Sequence, residues 1–460
     1  MKEIRCNLLV VGAGPGGYTC AARAGEQGVD TVIVEADRVG GTCLNVGCIP
    51  SKAVIHAADE YARARAFSAQ RSSLGIRVSE PAIDLAQTVA WKDAIVERLD
   101  GGVSGMLKKA RVKVVLGRAR FRDGKTVVVS TETGGEQTIR AENVVIATGS
   151  RPVELPMLPF GGNVVSSTEL LSMRELPARL VVVGAGYIGV ELGTAFAKLG
   201  AQVTMVDLAQ RILPQYDAEL TRPVMQRLSA LGVQLRLGAT VKGVSSDGQL
   251  AIETSAGAER LPADRILVAV GRRPATDGFA LEELDLDHDG PFVRIDDRCR
   301  TSMRGVYAIG DVTGEPMLAH RAMMQGEVVA DVVAGRKRVF EPRAIPAICF
   351  TDPEIVAVGP ALEEARRAHA ELRVGMVPFT ANGRALTLQA ESGFVRIVAR
   401  ADNHLVLSMQ AVGAAVSELS AAFGLALEMG ARLEDIAGTI HAHPTLGEAI
   451  QEAAQRALAR

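Results

Sequence analysis

Short apolar runs that stop at glycine, each followed by a helical period, recur along the chain. Leu8-Leu9-Val10-Val11 is continuous rather than alternating, the pattern of a strand buried on both faces. It runs into Gly12-Ala13-Gly14-Pro15-Gly16-Gly17. A helical pattern over Thr19 to Gln27 follows, then a second apolar run, Thr31-Val32-Ile33-Val34, ending in Glu35. Strand, glycine turn, helix, strand and acid in this order predict a dinucleotide-binding unit. The glycines let a pyrophosphate approach the backbone at a helix N-terminus, and the acid accepts hydrogen bonds from a ribose.

The pattern returns. Leu180-Val181-Val182-Val183 leads into Gly184-Ala185-Gly186-Tyr187-Ile188-Gly189, a helix, and Val203-Thr204-Met205-Val206-Asp207. Both copies place the acid 23 residues after the first glycine. A later pair of repeats, Ala141 to Pro152 and Ala263 to Pro274, reads as buried strands ending at glycine turns. The fingerprints lie 172 residues apart and these strands only 122, so about 50 residues are extra in the first half. The stretch after Glu35, with Gly40 to Lys52 and the helical pattern beyond it, is the expected location.

A third landmark is Gly305 to Val312, an apolar strand ending in Gly310-Asp311, followed by helical periodicity from near Pro316 to Gly335. Beyond Phe340 the texture changes. Strands are expected at Ala347 to Phe350, Ile355 to Gly359, Gly393 to Ala399 and His404 to Val412, then helices at Val416 to Met429 and near Leu446 to Leu458. Strands followed by helices, with no nucleotide fingerprint, predict an α+β domain.

Composition narrows the class. The chain has 460 residues, 51 basic and 53 acidic, a formal charge of −2, 48% hydrophobic residues and 4% aromatics. That balance leaves no electrostatic footprint for nucleic acid or an anionic membrane. No apolar run approaches the ~18 residues of a membrane span. The N-terminus enters a strand at once, without a signal-peptide cleavage site. A cytoplasmic enzyme is the expectation.

The extra stretch holds Cys43 and Cys48 within Gly40-Gly41-Thr42-Cys43-Leu44-Asn45-Val46-Gly47-Cys48-Ile49-Pro50-Ser51-Lys52. In a regular helix residues five apart have Cα atoms ~8.6 Å apart, beyond the ~7 Å limit for a disulfide. Pairing therefore requires an irregular turn, which Gly47, Gly40-Gly41 and Pro50 can supply. Two buried core thiols are the bland alternative. No four-ligand metal set accompanies the pair, and no metal site is expected. A thiol pair beside a nucleotide site suits disulfide exchange. Cys6, Cys20, Cys299 and Cys349 read as core.

These motifs together, GAGPGGY, GGTCLNVGCIPSK, ATGS, GAGYIGVELG, AVGRRP, GVYAIGDV with PMLAHRAMMQGE, and HAHPTLGEA, resemble those of the pyridine nucleotide–disulfide oxidoreductases. They run in family order from residue 12 to residue 449. The resemblance implies an α/β chain with two Rossmann-like units, for FAD and NAD, and a C-terminal α+β dimerisation domain. The expected boundaries are 1–150 for the FAD unit with its redox insertion, 151–272 for the NAD unit, 273–342 for a segment completing the FAD site, and 343–460 for the dimer interface.

By the same resemblance FAD would lie over Gly12, Gly14 and Gly17, with Glu35 on its ribose. Thr42, Ala119, Thr148, Gly149, Ser150 and Asp311 would line its site, with Met317, Leu318, Ala319 and His320 completing it. Lys52 would pair with Glu191 near the reactive ring. NAD would lie over Gly184, Gly186 and Gly189, with Asp207 on the ribose, Val241 and Gly271 nearby, and Tyr187 as a gate. Cys43 and Cys48 would form the redox disulfide. His443, oriented by Glu448, would serve as proton shuttle for the other subunit of a homodimer.

Within the family the chain is most similar to the branch that oxidises protein-bound dihydrolipoamide with NAD. VAWKDAIVERL, LPMLPFGG and QAVGAAVSELS resemble the form serving a branched-chain 2-oxo acid dehydrogenase, so a lipoyl domain and an acyltransferase core are the implied partners. Glutathione-type reductases share the architecture but place arginines where this chain has Asp207, and mercury-type enzymes carry a C-terminal cysteine pair that EAIQEAAQRALAR lacks. A non-catalytic nucleotide-binding assembly protein is the alternative from another class; it would need neither the thiols nor the His443–Glu448 pair.

Asp207 accepts from a free 2′-hydroxyl and repels a 2′-phosphate. Steady-state kinetics should therefore favour NAD over NADP by at least about tenfold in kcat/KM, equivalent to about 1.4 kcal/mol. Equal efficiencies would remove Asp207 as the selector.

Overall fold

The continuous apolar runs become central parallel strands, because only a strand covered on both faces can hold them. In this computed structural model, which describes residues 3–68, 72–131, 134–369 and 371–459, Leu8, Leu9 and Val10 have no exposed surface. Their strand, Glu3–Val11, lies between Thr31–Glu35 and Glu136–Ile146, parallel to both. Lys113–Leu116 extends one side and Thr126–Ser130 with Arg118–Asp123 the other. Val306–Ala308, more than 150 residues downstream of that sheet's other strands, joins it parallel to Glu136–Ile146, with Ala308 opposite Ile146. Three strands therefore end together, and Gly12, Ala147 and Ile309 leave the sheet along one edge, where α/β sheets hold their ligands.

The second unit repeats this layout. Arg179–Val183 lies between Gln202–Asp207 and Arg265–Val268, all parallel, with Gln234–Leu237 and Val164–Val165 at the edges. An antiparallel sheet of Thr240–Val244, Leu250–Thr254 and Gly257–Leu261 is appended. The extra residues of the first half are the helices Gly41–Asn45, Cys48–Ser68 and Leu85–Lys109. In the second unit one helix, Ala218–Ala230, fills the corresponding connection.

The C-terminal residues form a five-stranded antiparallel sheet, ordered Ala347–Cys349, Glu354–Val358, Val406–Gly413, Phe394–Arg400 and Leu372–Pro378. The last of these is absent from the sequence reading. Gly375 breaks its apolar run because the helix Glu448–Leu458 packs directly on it; a Cβ there would meet the Ala453 carbonyl oxygen at 1.9 Å. The helix expected from near Pro316 begins at Ala319, after extended Leu318 as its N-cap.

Buried ions join the parts. Arg396, fully buried, donates to Gln410 within its own sheet and to Asp217 and Glu219 at the start of Ala218–Ala230. Lys198, also buried, pairs with Asp59 of Cys48–Ser68 and with Asp352 of the C-terminal domain. Among the described residues no helix is long and apolar enough to cross a membrane, and no group of three or more metal-ligating side chains occurs.

Candidate functional site

The glycines of the two turns differ in what requires them. A Cβ on Gly12 would meet the Ala147 carbonyl oxygen at 2.3 Å, and one on Gly17 the Gly12 carbonyl oxygen at 1.9 Å. Gly184 and Gly189 repeat this with Ala269 at 2.4 Å and Gly184 at 1.9 Å. Strand and helix thus demand the first and third glycine. The middle ones, Gly14 and Gly186, have ordinary φ values of −70° and −75°, and a Cβ on either meets no protein atom within 4 Å. The chain itself does not need them to be glycine; a ligand backed against the turn does.

The acids are placed alike. Glu35 accepts from the Ala13 N–H at 2.7 Å and from Ala36 and Asp37 at 2.8 and 3.1 Å. Asp207 accepts from Ala185 and Ala209 at 2.5 and 2.7 Å. Each carboxylate is clamped against its glycine turn, with acceptor capacity left for ribose hydroxyls. Arg211, near Asp207 in sequence, donates instead to the Pro214 carbonyl at 2.6 Å.

In front of the first turn runs a cleft of about 430 Å³. Its walls include Gly12, Gly14, Gly17, Glu35 and Thr42, then Ala119, Thr148, Gly149, Ser150, Asp311, Met317 and Ala319. The side chain of Ser150 donates to Asp311 at 2.5 Å and accepts from Arg272 at 2.7 Å, so a residue of the AVGRRP segment braces the end of Val306–Ala308. No local pattern in that segment distinguishes Arg272 from Arg273.

Both cysteines line this cleft. Cys43 sits in the short helix Gly41–Asn45 and Cys48 opens the long one. Between them Val46 takes φ −138° and ends the helix, supplying the irregular turn that pairing requires. Gly41, at φ +59°, lets this segment press on the nucleotide turn, since a Cβ there would meet the Gly14 Cα at 2.5 Å. The two side chains are in hydrogen-bonding contact with each other. The Cys43 thiol donating to Cys48 holds the Cys48 thiol down at about 7, helped by Lys52 against the opposing effect of burial. Its seat at a helix N-terminus acts in the same direction. The same hydrogen bond, with burial, pushes Cys43 up. The other four cysteines are buried, and burial pushes their thiols up, Cys6 and Cys299 to about 12.

The wall opposite comes from the second unit. Tyr187, Ile188, Glu191 and Leu192, all on the helix Tyr187–Leu199, line the first cleft although they follow the second glycine turn. Lys52 donates to Glu191 at 2.8 Å, and the other Glu191 oxygen accepts from the Phe350 N–H at 2.8 Å. The Lys52 ammonium stands 4.5 Å from the centroid of the Phe350 ring. Phe350 had no sequence signal, because it enters from the C-terminal domain. Burial pushes the Tyr187 hydroxyl up to about 12, which keeps it neutral at the cleft wall.

Several expected residues lie outside these walls. Leu318 precedes its helix as N-cap. His320 turns away, its Nε2 at 2.9 Å from the Pro346 carbonyl, with burial lowering its pKa. Val241 lies in the appended antiparallel sheet, and Gly271, at φ +135°, precedes the strand Arg272–Pro274. Gly184, Gly186, Gly189 and Asp207 line the second turn rather than the first cleft. His443 also lies elsewhere, its side chain 79% exposed. Its Nδ1 meets Glu448 at 2.7 Å, and the other Glu448 oxygen accepts from the Thr445 N–H at 2.8 Å. That contact fixes the Nδ1–H tautomer and leaves Nε2 as an outward-facing base.

Comparison with known proteins gives the family. Residues 6–326 match the pyridine nucleotide-disulphide oxidoreductase model and residues 345–454 the dimerisation domain of the same family. The chain is 61% identical to the dihydrolipoyl dehydrogenase of Pseudomonas aeruginosa, over 99% of this chain and 98% of that one. It is 48% identical to dihydrolipoyl dehydrogenase 2 of Haloarcula marismortui, over 98% and 96%. Among solved structures, LpdA of Mycobacterium tuberculosis superposes with a TM-score of 0.90 at 27% identity, covering 98% of this chain and 99% of that one.

The glycine geometry separates folding from ligand binding. Gly14→Ala should melt like the wild type without cofactor, yet retain markedly less dinucleotide after gel filtration. Gly17→Ala should lose about 1–3 kcal/mol of stability through overpacking. Identical melting curves for the two variants would contradict this assignment.

Proposed function

We infer that this chain, which belongs to the pyridine nucleotide-disulphide oxidoreductase family, oxidises dihydrolipoamide to lipoamide with NAD. It is a flavoprotein enzyme that uses FAD and NAD, and it works as a homodimer. The observation that carries the catalytic reading is the thiol pair, bent across the Val46 break, at the wall of a cleft that both nucleotide units share. The first turn, Glu35 and the Ser150–Asp311–Arg272 cluster would hold FAD. The second turn and Asp207 would hold NAD. Bound flavin supplies the relay that carries an electron pair from the dithiol to NAD.

The chain's own groups do the sulfur chemistry. Starting from the Cys43–Cys48 disulfide, one substrate thiolate bonds to Cys43, and the electron pair of the broken S–S bond stays on Cys48. Lys52 stabilises the charge that Cys48 acquires, and the seat of that sulfur at a helix N-terminus acts in the same direction, which makes Cys48 a good leaving group. The second substrate thiol then attacks its own sulfur in the mixed disulfide and releases Cys43 as a thiol. His443 of the partner subunit takes up the substrate proton, and Glu448 holds its tautomer. The substrate leaves as a cyclic disulfide, having lost two electrons and two protons.

The dithiol served is the lipoyl group of a 2-oxo acid dehydrogenase complex, the branched-chain form, with its lipoyl domain and acyltransferase core as partners in the cytoplasm. The segments VAWKDAIVERL and QAVGAAVSELS support that finer reading.

Anaerobic reduction by dihydrolipoamide, compared with other dithiols and followed by NAD, tests the substrate; faster reduction by glutathione would displace it. Cys48→Ser should abolish both disulfide turnover and the long-wavelength thiolate–flavin absorbance, and a variant keeping both would defeat the thiol assignment. His443→Gln should lower lipoamide turnover by about 10²–10⁴-fold, the usual range for a general base. Near-wild-type turnover would remove His443 from the reaction.

A further inference from the structure

We propose that Phe350, reaching in from the C-terminal domain, is a positioning residue that pins the Lys52 ammonium beside Cys48. Lys52 follows Cys48 by four residues on one helix, so the two side chains are neighbours on the same face. A lysine there has a flexible four-carbon stem and does not hold one position unaided. Two contacts hold it. Glu191 accepts from the ammonium at 2.8 Å, and the Phe350 ring lies 4.5 Å beneath it, within the range of cation–π attraction. Phe350 also donates its N–H to the second oxygen of Glu191 at 2.8 Å, so one residue restrains both members of the pair.

The backbone of Phe350 is fixed from both sides. Cys349, fully buried, is paired with Ile355 across the sheet. Asp352 is bound to Lys198 at 2.6 Å and Arg227 at 2.7 Å. The ring is therefore delivered by the docked C-terminal domain, and the charge beside the thiols depends on that docking. The inference rests on the reading of Cys48 as the working thiolate.

The groups that face Cys48 are Cys43 from the preceding short helix, Lys52 from its own helix, Glu191 and Tyr187 from the second unit, and Tyr18 from the first. Phe350→Leu changes none of them and frees only Lys52. Alkylation of Cys48 in the reduced holoenzyme, followed by mass spectrometry across pH, reads the thiolate directly. Its midpoint should move up by roughly half a unit to one unit in Phe350→Leu, since an opposite charge nearby lowers a pKa by about 1–3 units. Lipoamide turnover near neutral pH should fall about two- to fivefold, in line with the smaller thiolate fraction. Phe350→Tyr, which keeps the ring, should restore both.

An unmoved midpoint in Phe350→Leu, or an equal shift in Phe350→Tyr, would overturn the proposal. Should Phe350→Leu fail to give folded dimers, the wild type decides. The Lys52 ε-protons, assigned by their loss in Lys52→Arg, should resonate upfield through the ring current, and an ordinary lysine shift would overturn the proposal. A wild type inactive on dihydrolipoamide whose midpoint still responds to Phe350→Leu would refute the substrate reading and leave this one standing.

Discussion

One buried carboxylate ties the working parts together. Glu191 belongs to the second nucleotide unit, Lys52 to the helical insertion of the first, and Phe350 to the C-terminal domain, and all three meet at that group. A carboxylate only 4% exposed has lost its hydration, and that cost is offset only when both oxygens are bonded. Here one takes an ammonium and the other a backbone N–H. Removing either partner strands a charge in the interior, so the arrangement selects one docking of the three parts. Its benefit lies in placement more than in net stability.

That placement serves sulfur chemistry that needs two thiols with different character. A continuous helix would hold Cys43 and Cys48 apart; the break at Val46 brings them into hydrogen-bonding contact and makes them unequal. Cys48, at a helix N-terminus with Lys52 one turn on, carries the negative charge, while Cys43 donates to it and stays a thiol. In the proposed reaction the sulfur closer to Lys52 would retain the electron pair, and the other would be left to exchange with substrate.

The proposed proton acceptor obeys a different constraint. His443 is held by Glu448 at the start of the helix that packs on Gly375, and it faces outward from its own subunit. In the proposed reaction it would act in the other subunit's cleft, which would make dimerisation a condition of turnover. The buried clusters around Arg396 and Lys198 keep the C-terminal domain, which carries His443, fixed against the nucleotide units.

The sequence by itself determined whatever is set by local sterics and period. Gly12 and Gly17 follow from strand–helix crowding, Glu35 and Asp207 from their distance to the turn, and the extra helices from unequal repeat spacing. The need for a bend between Cys43 and Cys48 follows from helix geometry alone. Only the tertiary structure decided what depends on packing between distant segments. Arg272 braces Asp311, Phe350 underlies Lys52, and Gly375 interrupts a strand to admit a helix. Local pattern records which face of an element is apolar, but not which other element will cover it. That is fixed when three separately patterned bodies dock and their few buried charges must all find partners.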